Sequence, residues 1–239
     1  MYLPWLKIDP QGMRNPYENS DLRAALDNEL RPGGLKLTQT ALNLCELKPG
    51  AKILDIGCGA GASLGLFRAL GHSAVGLDIS AMLVAESARQ GPVLHADATL
   101  LPIRYESLDA AFLECVLSLL PNKAAALKEV FRALKPFGML AVSDIHAKGN
   151  GEPRNSPGSL CEAIAGAGFT IIHAQDHSRC LGELAARLIW QFGTNKSLCE
   201  LLAGTAEKNG ASCPTLQKYG YALYIAKKTA HLDTIAVFH

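Results

Sequence analysis

Gly57, Gly59 and Gly61 stand two residues apart, between an apolar run ending at Asp55-Ile56 and a helical stretch opening at Ala62. Such a strand-to-helix turn presents backbone amides and the positive end of a helix dipole to whatever lies in it. The spacing satisfies the dinucleotide pattern G-x-G-x-x-(G/A), and Asp78, about twenty residues further on, can grip ribose hydroxyls. Read alone, the loop is of nucleotide type, and a nicotinamide-dependent oxidoreductase is one of its readings. Asp55 argues the other way. It puts a carboxylate beside the position of a pyrophosphate, where like charges repel, and it suits a ligand carrying positive charge. The plainer reading of Asp55 is a turn or N-cap residue.

Other chemistry-bearing residues are scattered. Glu114 and Cys115 close an apolar run, His146 follows another, and Arg31-Pro32-Gly33-Gly34 joins a cation to a flexible turn. His173 and His177 are four apart, but the first falls on a strand, so no metal site is expected. The seven cysteines, at 45, 58, 115, 161, 180, 199 and 213, include no C-x-x-C pair. Neither a disulfide framework nor a zinc knuckle is indicated, and free thiols in a reducing compartment follow.

The elements that must position these residues alternate. Apolar helical spacing over Thr38–Leu47 is stopped by Lys48-Pro49-Gly50, just before a strand at Lys52–Asp55. Further strands are predicted at 74–77, 93–95, 108–115 and 139–143, separated by helices at 62–70, 81–89 and 123–134. A helix at 159–167 precedes a strand at 169–174, and a last strand runs over 219–226. Short apolar runs joined by helices are the pattern of a parallel sheet covered on both faces. Between the last two strands, Leu181, Leu184, Ala185, Leu188, Ile189 and Phe192 share one helical face and Leu198, Leu201 and Leu202 another, which predicts a two-helix lid over 178–216. Residues 1–36 read as an arm or cap carrying a short helical pattern at 21–30, residues 37–228 as the main domain, and 229–239 as a tail.

Several segments resemble one family in order and spacing. Leu54-Asp55-Ile56-Gly57-Cys58-Gly59-Ala60-Gly61 looks like the first motif of class I S-adenosylmethionine-dependent methyltransferases, and Gly76-Leu77-Asp78-Ile79-Ser80-Ala81-Met82-Leu83 like the second. His95-Ala96-Asp97-Ala98, Leu101-Pro102, Leu108–Phe112 and Leu134–Leu140 continue the match, over roughly residues 40 to 145. The pattern looks closest to the group containing quinone-biosynthesis and arsenite methyltransferases. Phe137 departs from it, standing where the family usually has a second glycine.

The resemblance implies an α/β fold: a doubly wound, mostly parallel seven-stranded sheet of order 3-2-1-4-5-7-6 with an antiparallel last strand. It implies that Asp78 takes the ribose hydroxyls, Ile79 and Met82 wall the adenine, Asp97 accepts from the exocyclic amine, and Ala98 sits beside the ring. Gly57, Cys58, Gly59 and Gly61 would hold the cofactor, Asp55 would stabilise the positive charge of its methionine half, Glu114 and Cys115 would line the cleft near that half, and Arg31 would close over its carboxylate. Methyl transfer is an in-line displacement needing alignment more than acid–base machinery, so a base is required only for a protonated nucleophile. His146 is then preferred, ahead of Glu114 and His177.

The fourth strand lacks the Asn/Asp-Pro-Pro-Tyr/Phe ending of amide and adenine N-methyltransferases, which favours a small-molecule acceptor. Arsenite is disfavoured because no paired-cysteine arrangement can be matched. The alternative within the same resemblance is a non-catalytic S-adenosylmethionine-binding module. The chain has 239 residues, 49% of them hydrophobic, and a net charge of +1 without a basic run, which argues against nucleic acid. No apolar stretch reaches membrane-spanning length and Met1–Trp5 has no signal-peptide form, so a cytoplasmic location is expected.

Overall fold

The computed structural model describes residues 16–18, 20–25, 30–148, 157–192 and 218–229. Its sheet is built from β1 (Lys52–Ile56), β2 (Ser73–Asp78), β3 (Val93–His95), β4 (Leu108–Glu114), β5 (Leu134–Ala147), β6 (Phe169–Asp176) and β7 (Tyr219–Lys228). The spatial order is β3-β2-β1-β4-β5-β7-β6, as the resemblance implies. The first five strands pair in parallel, and β7 runs antiparallel to both β5 and β6.

Helices cover both faces. Alternation along the strands sends Ile53, Phe112, Ala141, Ile145, Tyr221, Leu223 and Ile225 to one face. They meet α2 (Gly34–Leu44), α3 (Ala62–Ala69) and α7 (Ser178–Phe192). Leu54, Ile56, Leu113, Leu140, Val142 and Tyr224 go to the other, against α5 (Lys123–Ala133) and α6 (Pro157–Gly166). The connection between β2 and β3 is α4 (Ala81–Ser87), and the N-terminal segment includes α1 (Ser20–Ala25), which overlaps the start of the helical pattern expected at 21–30. Ser80 caps α4 by accepting from Leu83 N, and Asn122 caps α5 by accepting from Ala125 N.

Three expectations change. β5 begins and ends well outside 139–143. Leu134 pairs with Leu108 directly at the end of α5, the Lys135–Gly138 turn bulges out, and pairing resumes at Ala110↔Met139. Beyond Ser143 the strand continues because Asp144–Ala147 pair with Tyr219–Ala222 of β7. In the bulge Phe137 keeps the left-handed conformation usually left to glycine, at φ 64. Its exposed ring lies 5.2 Å below Lys227 Nζ.

α7, expected as part of a lid, buries Leu181, Leu184, Ala185 and Leu188 in the same core as Leu37, Ala41 and Tyr221. It is therefore a layer of the fold. Ile189 is not on that face but 48% exposed, beside the exposed Trp190. Leu198, Leu201 and Leu202, Phe192's side chain and the 231–239 tail lie outside the described residues. Among the described residues, no helix is long and apolar enough to cross a membrane, and no group of three or more His, Cys, Asp or Glu side chains is placed to hold a metal ion.

Candidate active site

The carboxyl ends of β1, β2 and β4 converge on the glycine loop, and the loop's geometry departs from the dinucleotide reading. Gly57 N and Cys58 N both donate to Leu77 O, at 2.7 and 3.0 Å, and Gly61 N donates to Cys58 O at 2.9 Å. Gly59 N donates to Asp78 Oδ2 at 2.9 Å. These four amides are committed within the chain, so none of them is left to cradle a phosphate. The anion the loop holds is its own Asp78.

The glycines serve different purposes. Gly57 has φ 67, and a Cβ there would run into Val116 Cγ2. Gly59, at φ 54, has only open space where a side chain would stand, so its backbone is the part of the loop a ligand can approach closely. A Cβ on Gly61 would meet Ser87 and Gln90 at 3.0–3.2 Å, so this glycine permits close approach of α3 to α4. Cys58 also points inward: its Sγ lies 2.7 Å from where a Cβ of Gly76 would be and 3.8 Å from Ser87 Oγ. The Cys58 side chain is therefore packed inside the loop and not presented to a ligand.

Asp78 is 7% exposed at the end of β2. Its second oxygen, Oδ1, accepts from Ser80 N at 2.9 Å. Burial pushes its carboxyl above the usual range, opposed by these backbone donors. The N-terminal segment reaches the same corner, where Ser80 Oγ donates to Glu18 Oε1 at 2.8 Å and Arg23 pairs with Glu86.

Asp55, at 2% exposure, has an Oδ2 that is buried and accepts no hydrogen bond. Burial raises its carboxyl well above the usual range, Glu114 adds to the rise, and Arg31 opposes it. An orphaned carboxylate oxygen at a glycine loop is the strongest single mark of a missing partner here.

Beside it stands a buried charge network. Arg31 Nη2 donates to Thr38 Oγ1 at 2.8 Å and Ser63 Oγ at 2.7 Å. Those hydroxyls donate in turn to Glu114, Thr38 to Oε1 at 2.7 Å and Ser63 to Oε2 at 2.5 Å. Arg31 Nε lies 3.3 Å from Glu114 Oε2, close enough for an ion pair, yet its N–H is not directed at an acceptor. Burial pulls the Arg31 pKa down, but Glu114, Tyr221 and Asp55 more than offset this and leave it raised. Glu114 is thus engaged on both oxygens rather than presented to a ligand.

The remaining expected residues separate. Ile79 and Met82 are 43% and 45% exposed, open apolar surface next to Asp78, while Ala98 is buried. Asp97 Oδ1 accepts from Thr99 N at 2.8 Å. Cys115 has φ 58 and is buried, its Sγ 3.4 Å from Tyr221 OH, which donates to Ser143 Oγ at 2.9 Å. Burial pushes the Cys115 thiol far up, so it is no thiolate nucleophile.

The two candidate bases do not meet. Glu114 is in register with Ser143, and His146, three residues on, faces the opposite side of the sheet. The His146 ring packs where a Cβ of Gly220 would be. Burial lowers its pKa and favours neutral imidazole. His177 N donates to Tyr221 O at 2.7 Å, and burial lowers the His177 pKa as well.

Thr38, Ser63, Glu18 and Tyr17 were not singled out from sequence. Thr38 and Ser63 lie on helices whose apolar periodicity says nothing about a hydroxyl, and their partner Glu114 is 76 and 51 residues away. Tyr17 is held near Cys115 and Asp144, whose charges add to the effect of burial in raising its phenol pKa.

Residues 54–142 match the family model described as a methyltransferase domain. A demethylmenaquinone methyltransferase of Corynebacterium kroppenstedtii is 32% identical over 57% of this chain and 57% of its own length. The chain spans only about half the length of the curated relatives it matches. Among solved structures, the [4+2]-cyclase SpnF is 25% identical with a TM-score of 0.63, covering 82% of this chain and 80% of its own. The phosphoethanolamine N-methyltransferase 2 of Haemonchus contortus, solved with S-adenosyl-L-methionine, has a TM-score of 0.68 at 18% identity, covering 87% of this chain and 56% of its own, and shares the fold.

Proposed function

We propose that this chain, whose residues 54–142 match the family model described as a methyltransferase domain, transfers a methyl group from S-adenosylmethionine to a small-molecule acceptor. The observation that carries the reading is Asp55, whose buried Oδ2 has no partner beside a loop with four of its amides already committed. A site of that kind repels a pyrophosphate and attracts a cation. The donor fits it, having an ammonium and a sulfonium and no phosphate. When bound, it supplies a methyl group already activated for displacement.

The chain's own residues then bind, orient and exclude water. Asp55 Oδ2 accepts from the ammonium, and Arg31, whose Nε N–H lacks an acceptor, faces the carboxylate. Asp78 accepts from the ribose hydroxyls while Gly59 N and Ser80 N hold it in place. Ile79 and Met82 cover the adenine with their exposed side chains, and Asp97 accepts from its amine. If the acceptor carries a protonated nucleophile, neither expected base is placed to take the proton directly: Glu114 is engaged by Thr38, Ser63 and Arg31, and the buried His146 faces the other side of the sheet. The small-molecule class rests on the absence of an amide-binding ending to β4, and a cytoplasmic location is proposed with it.

One observation favours a second reading. SpnF, a [4+2]-cyclase, matches this chain over most of both lengths, so the fold is compatible with chemistry other than methyl transfer. Incubation with S-adenosylmethionine labelled at the methyl group and a fractionated metabolite extract separates the two. Label in a small organic product is expected. Repeated failure of label to move, with the adenosyl ligand still bound, favours the second reading.

A further inference from the structure

Resting on that reading, we propose that Glu114 is a positioning residue that keeps Arg31 from neutralising Asp55, so that the two charges of the donor's amino-acid head meet separate partners. Arg31, Asp55 and Glu114 form a buried group of one cation and two carboxylates. In a low-dielectric site a buried guanidinium pairs with whichever carboxylate is best placed. Two carboxylates compete for Arg31 here, and the geometry decides the contest for Glu114.

Thr38 on α2 and Ser63 on α3 each accept from Arg31 Nη2 and donate to a different oxygen of Glu114. The guanidinium is thereby tied to β4 through two neutral hydroxyls as well as by charge, its side chain 12% exposed and that of Glu114 7%. The consequence appears on Asp55, which lies within electrostatic reach of Arg31 and still has Oδ2 unpartnered. Without the Glu114 charge, Arg31 would turn to Asp55 and occupy the oxygen that the ammonium needs. Glu114 therefore acts through Arg31 and Asp55 and touches no reacting atom.

The test uses two probes that differ only in the head group: S-adenosylhomocysteine, which has the amino-acid head, and 5′-methylthioadenosine, which lacks it. Calorimetry on E114Q should show S-adenosylhomocysteine weakened at least tenfold and methylthioadenosine within twofold of wild type. Ser63→Ala, which alters no charge, should give the same pattern at smaller amplitude, and it decides the matter if E114Q does not fold. Equal weakening of both probes would make Glu114 merely structural. Unchanged binding of both, with turnover abolished, would make it the base. Each result overturns the proposal. Failure of the wild-type chain to bind either probe would instead sink the reading on which the proposal rests.

Discussion

On the β3-β2-β1 side of the sheet, polar atoms are left open toward the strand ends. Asp55 Oδ2 has no partner, Gly59 faces open space, and Ile79 and Met82 are exposed. On the β5-β7-β6 side, most buried polar groups are consumed within the chain, the unpartnered His177 Nε2 excepted. Tyr221 OH bonds Ser143, Asp144 accepts from Ser118 N and Ile145 N, and Lys228 Nζ donates to Leu134 O at 2.7 Å. Burying a polar group costs free energy unless it is hydrogen-bonded, so an orphan that persists marks a place where another molecule completes the structure. We read the first half of the sheet as the one that holds a ligand, and the second chiefly as the one that holds the fold.

The sharpest way to break that comparison is to damage the second half. Leu188→Ala removes a fully buried side chain from the α7–sheet core and should lower the unfolding free energy by about 2 to 5 kcal/mol. Denaturant melts would show the loss, while the dissociation constant of S-adenosylhomocysteine stays within twofold at temperatures where the variant is folded. Weaker binding in step with stability would mean the halves are not separate.

The converse change is Asp78→Ala, expected to weaken S-adenosylhomocysteine by about 1 to 3 kcal/mol through lost charge-assisted hydrogen bonds. An unchanged affinity would remove Asp78 from the pocket.

A subtler effect concerns pH. The Asp55 carboxyl is raised in the free protein, and an ammonium favours its ionised form, so binding releases a proton. Affinity should therefore be complete above the raised pKa and fall as pH drops through it, by up to about tenfold per unit. Asp55→Asn should bind more weakly and lose that slope. A wild-type affinity flat across the titration of Asp55 would contradict the assignment.

The smallest change expected is Phe137→Gly, which relieves a left-handed residue in the β5 bulge and should raise stability by roughly 1 kcal/mol with binding unaffected. A loss of stability would show that the ring's contact with Lys227 outweighs the strain.

Legibility in the sequence followed the same division. The strands of the proposed ligand-holding half are short apolar runs bounded by glycine, and Asp55, Gly57 and Asp78 sit at or beside their ends, where spacing reads a nucleotide-type loop and charge and the resemblance narrow it. The length of β5 was not legible, because Asp144 and His146 interrupt its apolar run and are tolerated only through pairing with β7. Ile189 fits the helical period of α7 but falls at the margin of its buried stripe. Glu114 was legible as a strand-end carboxylate and not as the partner of Arg31, since Thr38 and Ser63, which bind the two together, come from separate helices. Local pattern reads backbone positions, whereas networks assembled across elements depend on tertiary geometry.

The most direct measurement is a calorimetric titration of the folded chain with S-adenosylhomocysteine and, separately, with NADH. Saturable binding of S-adenosylhomocysteine, weakened in Asp55→Asn and Asp78→Ala, with no heat from NADH, is the predicted result. Tight binding of NADH with no response to S-adenosylhomocysteine would contradict the account at its centre.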